Sequence, residues 1–124
     1  MIGEISGKVV RGDGYGKKLG FPTANIDRRQ WRQRGRGIKL GVYAGLVALA
    51  GGNQYKAGIV IGPVDLKGLP KLEAHLIGYQ GSLYGKRITF YLLKYLRPFK
   101  PYKSEALLRR QISQDIKRVH KLKL

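Results

Sequence analysis

Short runs of branched and aromatic residues, each cut off by glycine, occupy most of this 124-residue chain and point to an all-β core. They extend from Ile5 to Val10, Val42 to Leu49, Tyr55 to Ile61, Leu72 to Ile77 and Arg87 to Leu93. Ala50-Gly51-Gly52-Asn53-Gln54 predicts a hairpin, and Gly81-Ser82 with Tyr84-Gly85-Lys86 predicts another reversal. A chain of this length buries one core and has little room for a second, so residues 1–124 are expected to form a single domain. Several short strands in so small a chain favour a closed barrel, because closure removes the unpaired edges of an open sheet.

The pattern changes after Ser104. Leu108, Ile112, Ile116 and Val119 recur at helical spacing and define one apolar stripe. Ser104 suits an N-cap, Glu105 the positive helix start, and Lys117, Arg118 and Lys121 the negative end. A C-terminal helix leaning on the barrel is the expected outcome.

The chain lacks cysteine, which excludes disulfides and thiolate metal sites. It has neither a basic-then-apolar N-terminal segment nor an apolar run long enough to span a bilayer. A cytoplasmic monomer with no membrane association is expected. Twenty-five Lys and Arg against seven Asp and Glu give a net charge of +18, which calls for an anionic partner. The excess lies at Arg28, Arg29, Arg32, Arg34, Arg36 and Lys39, and again within 94–103 and 109–123. Segment 27–40 has no clear period and holds the only tryptophan, Trp31. Such a segment suits a lid or a nucleic-acid-binding loop, or a solvated loop with Trp31 tucked against the barrel. Weak, non-specific binding of RNA or another polyanion stays in contention.

Chemistry concentrates near the N-terminus, in Gly12-Asp13-Gly14-Tyr15-Gly16-Lys17-Lys18 followed by Gly20-Phe21-Pro22-Thr23-Ala24-Asn25. Gly12, Gly14 and Gly16 can take positive φ and aim successive N–H groups at phosphate oxygens, beside the charges of Lys17 and Lys18. Pro22 stiffens the approach to Thr23 and Asn25, whose oxygens are hard donors suited to Mg²⁺ next to a polyphosphate. On composition alone the same residues could make a solvated hairpin turn with local side-chain-to-backbone bonds. Among the few acidic residues, Glu73 stands out inside the apolar run 69–77, where a carboxylate is expensive unless function or pairing maintains it. An outward-facing strand glutamate paired with lysine is the plainer reading. His75, two residues on, reads as a neutral, hydrogen-bonded histidine with no assigned chemistry.

These segments resemble the riboflavin kinase family. The resemblance runs from Gly7-Lys8-Val9-Val10-Arg11-Gly12 and Gly16 to Asn25 through Gly41-Val42-Tyr43-Ala44, Ile61-Gly62 and Leu72-Glu73-Ala74-His75-Leu76. It continues through Leu83-Tyr84-Gly85-Lys86, Leu96-Arg97-Pro98 and Gln111-Ile112-Ser113-Gln114-Asp115-Ile116, in family order. It implies a six-stranded Greek-key closed barrel with a C-terminal α-helix. It also implies ATP-dependent phosphorylation of the riboflavin ribityl 5′-hydroxyl with Mg²⁺, giving FMN and ADP, by a stand-alone kinase without an adenylyltransferase module. Glu73 then corresponds to the general base, Thr23 and Asn25 to the Mg-nucleotide residues, and the Gly12 to Lys18 loop to the phosphate-covering flap. Arg97 matches a position near the flavin. Tyr102, Leu107 and Leu108 are candidates to line the cleft between barrel and helix, where packing residues would look the same. The chain departs from the family pattern at Pro63 to Leu69, at Phe99 and at Ser104-Glu105-Ala106, all toward the flavin side. The alternatives are a barrel reused for RNA binding, and a kinase with another donor or another small alcohol.

Overall fold

Six strands form where the runs predicted five. In the computed structural model, which describes residues 1–31 and 37–123, they are β1 (Gly3–Val10), β2 (Ala24–Ile26), β3 (Gly41–Leu49), β4 (Gln54–Val64), β5 (Pro70–Leu76) and β6 (Arg87–Arg97). A four-residue helix, α1 (Tyr15–Lys18), lies between β1 and β2, and a long one, α2 (Glu105–Lys121), closes the chain. The order around the closed barrel is β1-β2-β5-β4-β3-β6, with every neighbouring pair antiparallel. Strands β3, β4 and β5 are consecutive and β6 returns beside β3, which is the Greek-key arrangement.

The predicted hairpin joins β3 to β4, with the Leu49 N–H donating to the Asn53 carbonyl at 2.8 Å. The second predicted reversal is present as a turn, with the Lys86 N–H donating to the Leu83 carbonyl at 2.9 Å, but it does not join paired strands. Strands β5 and β6 do not pair; the 77–86 connection crosses the barrel end, and its backbone extends β1 through Gly85 N–H to Val9 O at 2.9 Å. Turn residues mark where a chain reverses, but the partner of the next strand is a tertiary choice.

Alternation along the strands sends Ile5, Val9, Ile26, Ile59, Leu72, Ile88, Phe90 and Leu92 into the barrel. Full burial of such side chains stabilises by about 1.5–3 kcal/mol each. Strand β3 is buried on both faces over Gly41 to Gly45, because α2 covers its outer side. A second cluster of Val42, Ala44, Leu96 and Val119 fills that interface. The helix comes close over Gly58, where a Cβ would lie 3.2 Å from the Ile116 Cδ1. Ser104 caps α2 as its sequence predicted, accepting from the Leu107 N–H at 3.2 Å. At the other end Lys56 of β4 donates to the carbonyls of His120 and Leu122 at 3.0 and 2.7 Å, satisfying groups the helix itself leaves open. Arg97 at the end of β6 makes a two-pronged ion pair with Asp115, the one buried charged residue among those described, and so ties α2 to the barrel.

Trp31 is partly buried against the barrel core. Arg28 pairs with Asp65, and Arg29 with Asp27. Arg32, Arg34 and Arg36 of the basic segment fall outside the described residues. No helix among the described residues is long and apolar enough to cross a membrane.

Candidate active site

Strand β2 is only three residues long, yet its placement builds the site. Ala24 and Ile26 point into the core, so Thr23 and Asn25 flank the outer face. Asn25 stands opposite Val10 of β1 and opposite Glu73 of β5. The Thr23 hydroxyl donates to Glu73 Oε2 at 3.1 Å. Thr23 and Asn25, two positions apart, therefore meet Glu73 from a distant strand on one outer surface. His75 braces the approach: its Nδ1–H donates to the Pro22 carbonyl at 2.8 Å, and its ring stands edge-on to Phe21 at 5.6 Å.

The glycines of the flap work differently from the sequence expectation. Only Gly14 of the three takes positive φ, at 75°, and the segment contains a helical turn rather than a hairpin turn. Gly12 and Gly16 are needed for closeness. A Cβ on Gly12 would lie 2.3 Å from the Asn25 amide nitrogen, and one on Gly16 would lie 2.6 Å from the Phe21 carbonyl oxygen. The missing Cβ atoms let the flap backbone lie against the Thr23 to Asn25 strand. Leu19 anchors the flap from beneath at 3% exposure. Helix α2 clips it from the side, by Arg109 Nε–H to Leu19 O at 3.2 Å and by Lys18 to Glu105 at 3.6 Å.

Two cavities meet at Thr23. One, of about 620 Å³, is lined by Gly12, Gly14, Lys17, Thr23 and Asn25 together with the 79–84 connection. The other, of about 270 Å³, lies between barrel and α2 and has apolar walls that include Phe21, Val60, Phe99, Leu108 and Ile112, with Glu73 among them. Glu73 is nearly enclosed, its side chain 15% exposed. Burial pushes its carboxyl up; the nearby Lys71 ammonium and the Thr23 hydrogen bond oppose that, and the Asp13 charge adds to it. A carboxylate made more basic in an apolar cleft, next to oxygen donors and a glycine-lined cavity, can accept a proton from an alcohol beside a bound polyphosphate.

Of the residues singled out for the flavin, Leu108 lines the apolar cleft. Tyr102 and Leu107 line a different surface groove, beside Lys100 and Lys103. Arg97 is engaged by Asp115. Phe99, a departure expected toward the flavin side, lines the cleft, and so do Phe21, Ile112 and Lys71, which the sequence did not single out for it. Lys71 had a usable signal, since it stands two residues before Glu73 and so shares its face of the strand.

No group of three or more His, Asp or Glu residues able to hold a metal occurs among the described residues. The donor set at Thr23 and Asn25 nonetheless fits Mg²⁺, which keeps several waters and takes few protein oxygens beside phosphate. The Thr23 proton points to Glu73, which leaves the hydroxyl oxygen's lone pairs open, and the Asn25 amide lies in the space that Gly12 vacates.

Comparison with known proteins agrees with this geometry. The family model for flavokinase, described as riboflavin kinase, matches residues 3–123. The chain is 34% identical over 121 residues to the RNA-binding riboflavin kinase RibR of Bacillus subtilis, covering 94% of this chain and 50% of that protein. It is 32% identical over 119 residues to mouse riboflavin kinase, covering 93% of this chain and 77% of the mouse protein. The crystal structure of riboflavin kinase from Trypanosoma brucei superposes with a TM-score of 0.66 at 26% identity, covering 94% of this chain and 76% of that one. The chain spans half the length of the Bacillus relative and 38% of a bifunctional riboflavin kinase/FMN adenylyltransferase from Buchnera aphidicola. With its family model matched from the first strand through the last helix, the chain belongs to the riboflavin kinase family.

Proposed function

We propose that this protein transfers the terminal phosphoryl group of ATP to the ribityl 5′-hydroxyl of riboflavin. The observation that carries the reading is the meeting of a glycine-lined cavity and an apolar one at Thr23, whose hydroxyl is bonded to Glu73 in the apolar cleft. The glycine-lined cavity suits a polyphosphate, under backbone N–H groups and Lys17. The apolar cavity suits a flat aromatic ring system, with Leu108 on one wall. Its volume of about 270 Å³ lies near the low end of the about 300–1,000 Å³ usual for small-molecule sites.

In this reading Glu73 takes the hydroxyl proton as the hydroxyl oxygen bonds to the terminal phosphorus and ADP leaves. Its raised basicity suits that role, since a base works best with a pKa brought toward working pH. Thr23 orients the Glu73 carboxylate through its hydrogen bond. Thr23 and Asn25 would hold Mg²⁺, which when bound neutralises phosphate charge. The flap residues Gly12, Gly14, Gly16, Lys17 and Lys18 cover the phosphates, and α2 restrains the flap through Arg109. Purified protein incubated with riboflavin, Mg²⁺ and each nucleotide in turn, with products identified by mass, tests the assignment. FMN from riboflavin and ATP is the expected product; its absence under all donors refutes it.

A second activity is favoured by the charge. A net charge of +18 exceeds what a nucleotide requires, and one relative carries RNA binding in its name. Weak polyanion binding on the exposed basic face of α2 is compatible with catalysis on the opposite side of that helix.

A further inference from the structure

We propose that Lys71 is a catalytic cation that contacts the transferring phosphoryl group, and that Asp13 of the flap is the counter-ion it exchanges for that phosphate. The inference rests on the phosphotransfer reading above and adds a residue to it.

Lys71 lies on β5, two residues before Glu73, and both side chains project from the outer face of the barrel. Its Nζ donates to Asp13 Oδ2 at 2.7 Å and lies 4.0 Å from Glu73 Oε1. Among the described residues it is the one basic side chain within ion-pair distance of Glu73. It lines both the apolar cleft that holds Glu73 and an adjoining cavity of about 570 Å³ bounded by Gly12, Asp13 and Asn25. Among the described residues no other lysine lines both.

Distances decide what a cation there can reach. A base must lie about 2.6–3.2 Å from the hydroxyl it deprotonates, and that oxygen about 3–3.5 Å from the phosphorus it attacks. An ammonium 4.0 Å from the base is therefore within reach of the phosphoryl oxygens, on a stem flexible enough to close the remaining gap. In transfer, the acceptor oxygen bonds to the terminal phosphorus while the bond to the ADP oxygen breaks. ADP departs with that electron pair, and the hydroxyl proton passes to Glu73. Lys71 keeps its proton throughout and neutralises charge on the equatorial oxygens.

Asp13 explains how the cation is kept in place before nucleotide arrives. Its Oδ1 accepts the Tyr15 N–H at 2.9 Å, which fixes the carboxylate at the start of α1, within the segment that covers the phosphates. A polyphosphate bound under that segment brings like charge against Asp13 and offers Lys71 a stronger partner. Exchange of carboxylate for phosphate then delivers the ammonium to the reaction centre.

The test compares wild type with Lys71→Met, Lys71→Arg, Asp13→Asn and the double variant Lys71→Met/Asp13→Asn. Two quantities are read: the single-turnover rate of FMN formation, and the affinity for a methylene-bridged ATP analogue with Mg²⁺. Lys71→Met should slow turnover by at least about 10-fold, on a scale where one transition-state donor contributes roughly 10²–10³, and Lys71→Arg should recover part of the loss. Asp13→Asn should tighten the analogue several-fold with Lys71 present and leave affinity unchanged with Met there, a coupling that a merely structural lysine would not produce. A Lys71→Met turnover within twofold of wild type, or an Asp13→Asn effect independent of residue 71, overturns the proposal. A flat cycle in a protein that makes FMN refutes the Lys71 role alone. An intact cycle without FMN refutes the riboflavin reading alone, and supports the phosphate contact.

Discussion

A carboxylate on the outer face of a strand is ordinarily solvated, but Glu73 is covered by the cleft between barrel and α2. Its raised pKa has opposite consequences for function and stability. Folding favours the protonated form, so this group's contribution to stability is full below the ordinary glutamate pKa of about 4.3 and is lost as pH rises through the folded value. Glu73→Gln is therefore expected to lower turnover by about 10²–10⁴-fold while melting higher than wild type at neutral pH. In protein free of metal and nucleotide, that gain should shrink as pH falls through the acidic range. Turnover near wild type would remove Glu73 from the base role, and an advantage that grows on acidification would contradict the burial argument. Thr23→Ala and Asn25→Ala should each weaken Mg-ATP binding and raise the Mg²⁺ concentration needed for half-maximal rate. Unchanged Mg²⁺ dependence in both would refute their assignment.

The elements owe their positions to a small number of cross-links. Helix α2 is held by the Val42, Ala44, Leu96 and Val119 cluster and by the Arg97–Asp115 pair, whose side chains are 16% and 5% exposed. Removing one partner of a pair this buried strands a charge and costs about 3–5 kcal/mol, whereas replacing both with apolar residues of similar size is often neutral. Asp115→Ala should lower the denaturation midpoint strongly, and Arg97→Met/Asp115→Leu much less. Equal losses in the single and double variants would show that the pair's net attraction, not the stranded charge, sets the cost. The same helix forms one wall of the apolar cleft through Leu108 and Ile112 and clips the flap through Arg109. Its loosening should accordingly raise KM for riboflavin along with instability.

For the whole molecule the charge remains the governing property. Phosphate contacts release counterions, so binding to single-stranded RNA should weaken as salt rises, with a slope of roughly −0.7 per phosphate neutralised. Arg110, Lys117 and Lys121 are exposed on α2. Changing all three to Gln should flatten that slope and leave FMN formation unchanged. Titrations at several salt concentrations measure it; no binding at low salt would refute the polyanion reading.

Local signals in the chain were enough for the strand runs, the β3–β4 hairpin, the Ser104 cap and the helical stripe, because each depends on residues near one another in sequence. Family resemblance extended this to the sixth strand of the barrel and to the candidates Thr23, Asn25 and Glu73. A three-residue strand such as β2 has too few positions to show a period, so its presence is decided by pairing with β1 and β5. The same limit applies to the flap glycines: their spacing marked a backbone that must come close, but only the position of Asn25 and Phe21 shows that Gly12 and Gly16 serve contact rather than positive φ. Arg97 could be read from sequence as a flavin contact or a surface charge; Asp115, 18 positions away, makes it a structural partner. Sequence fixes what each residue can donate, accept or bury. Which of those capacities is used depends on neighbours brought together by closure of the barrel and docking of α2, and no local pattern contains them.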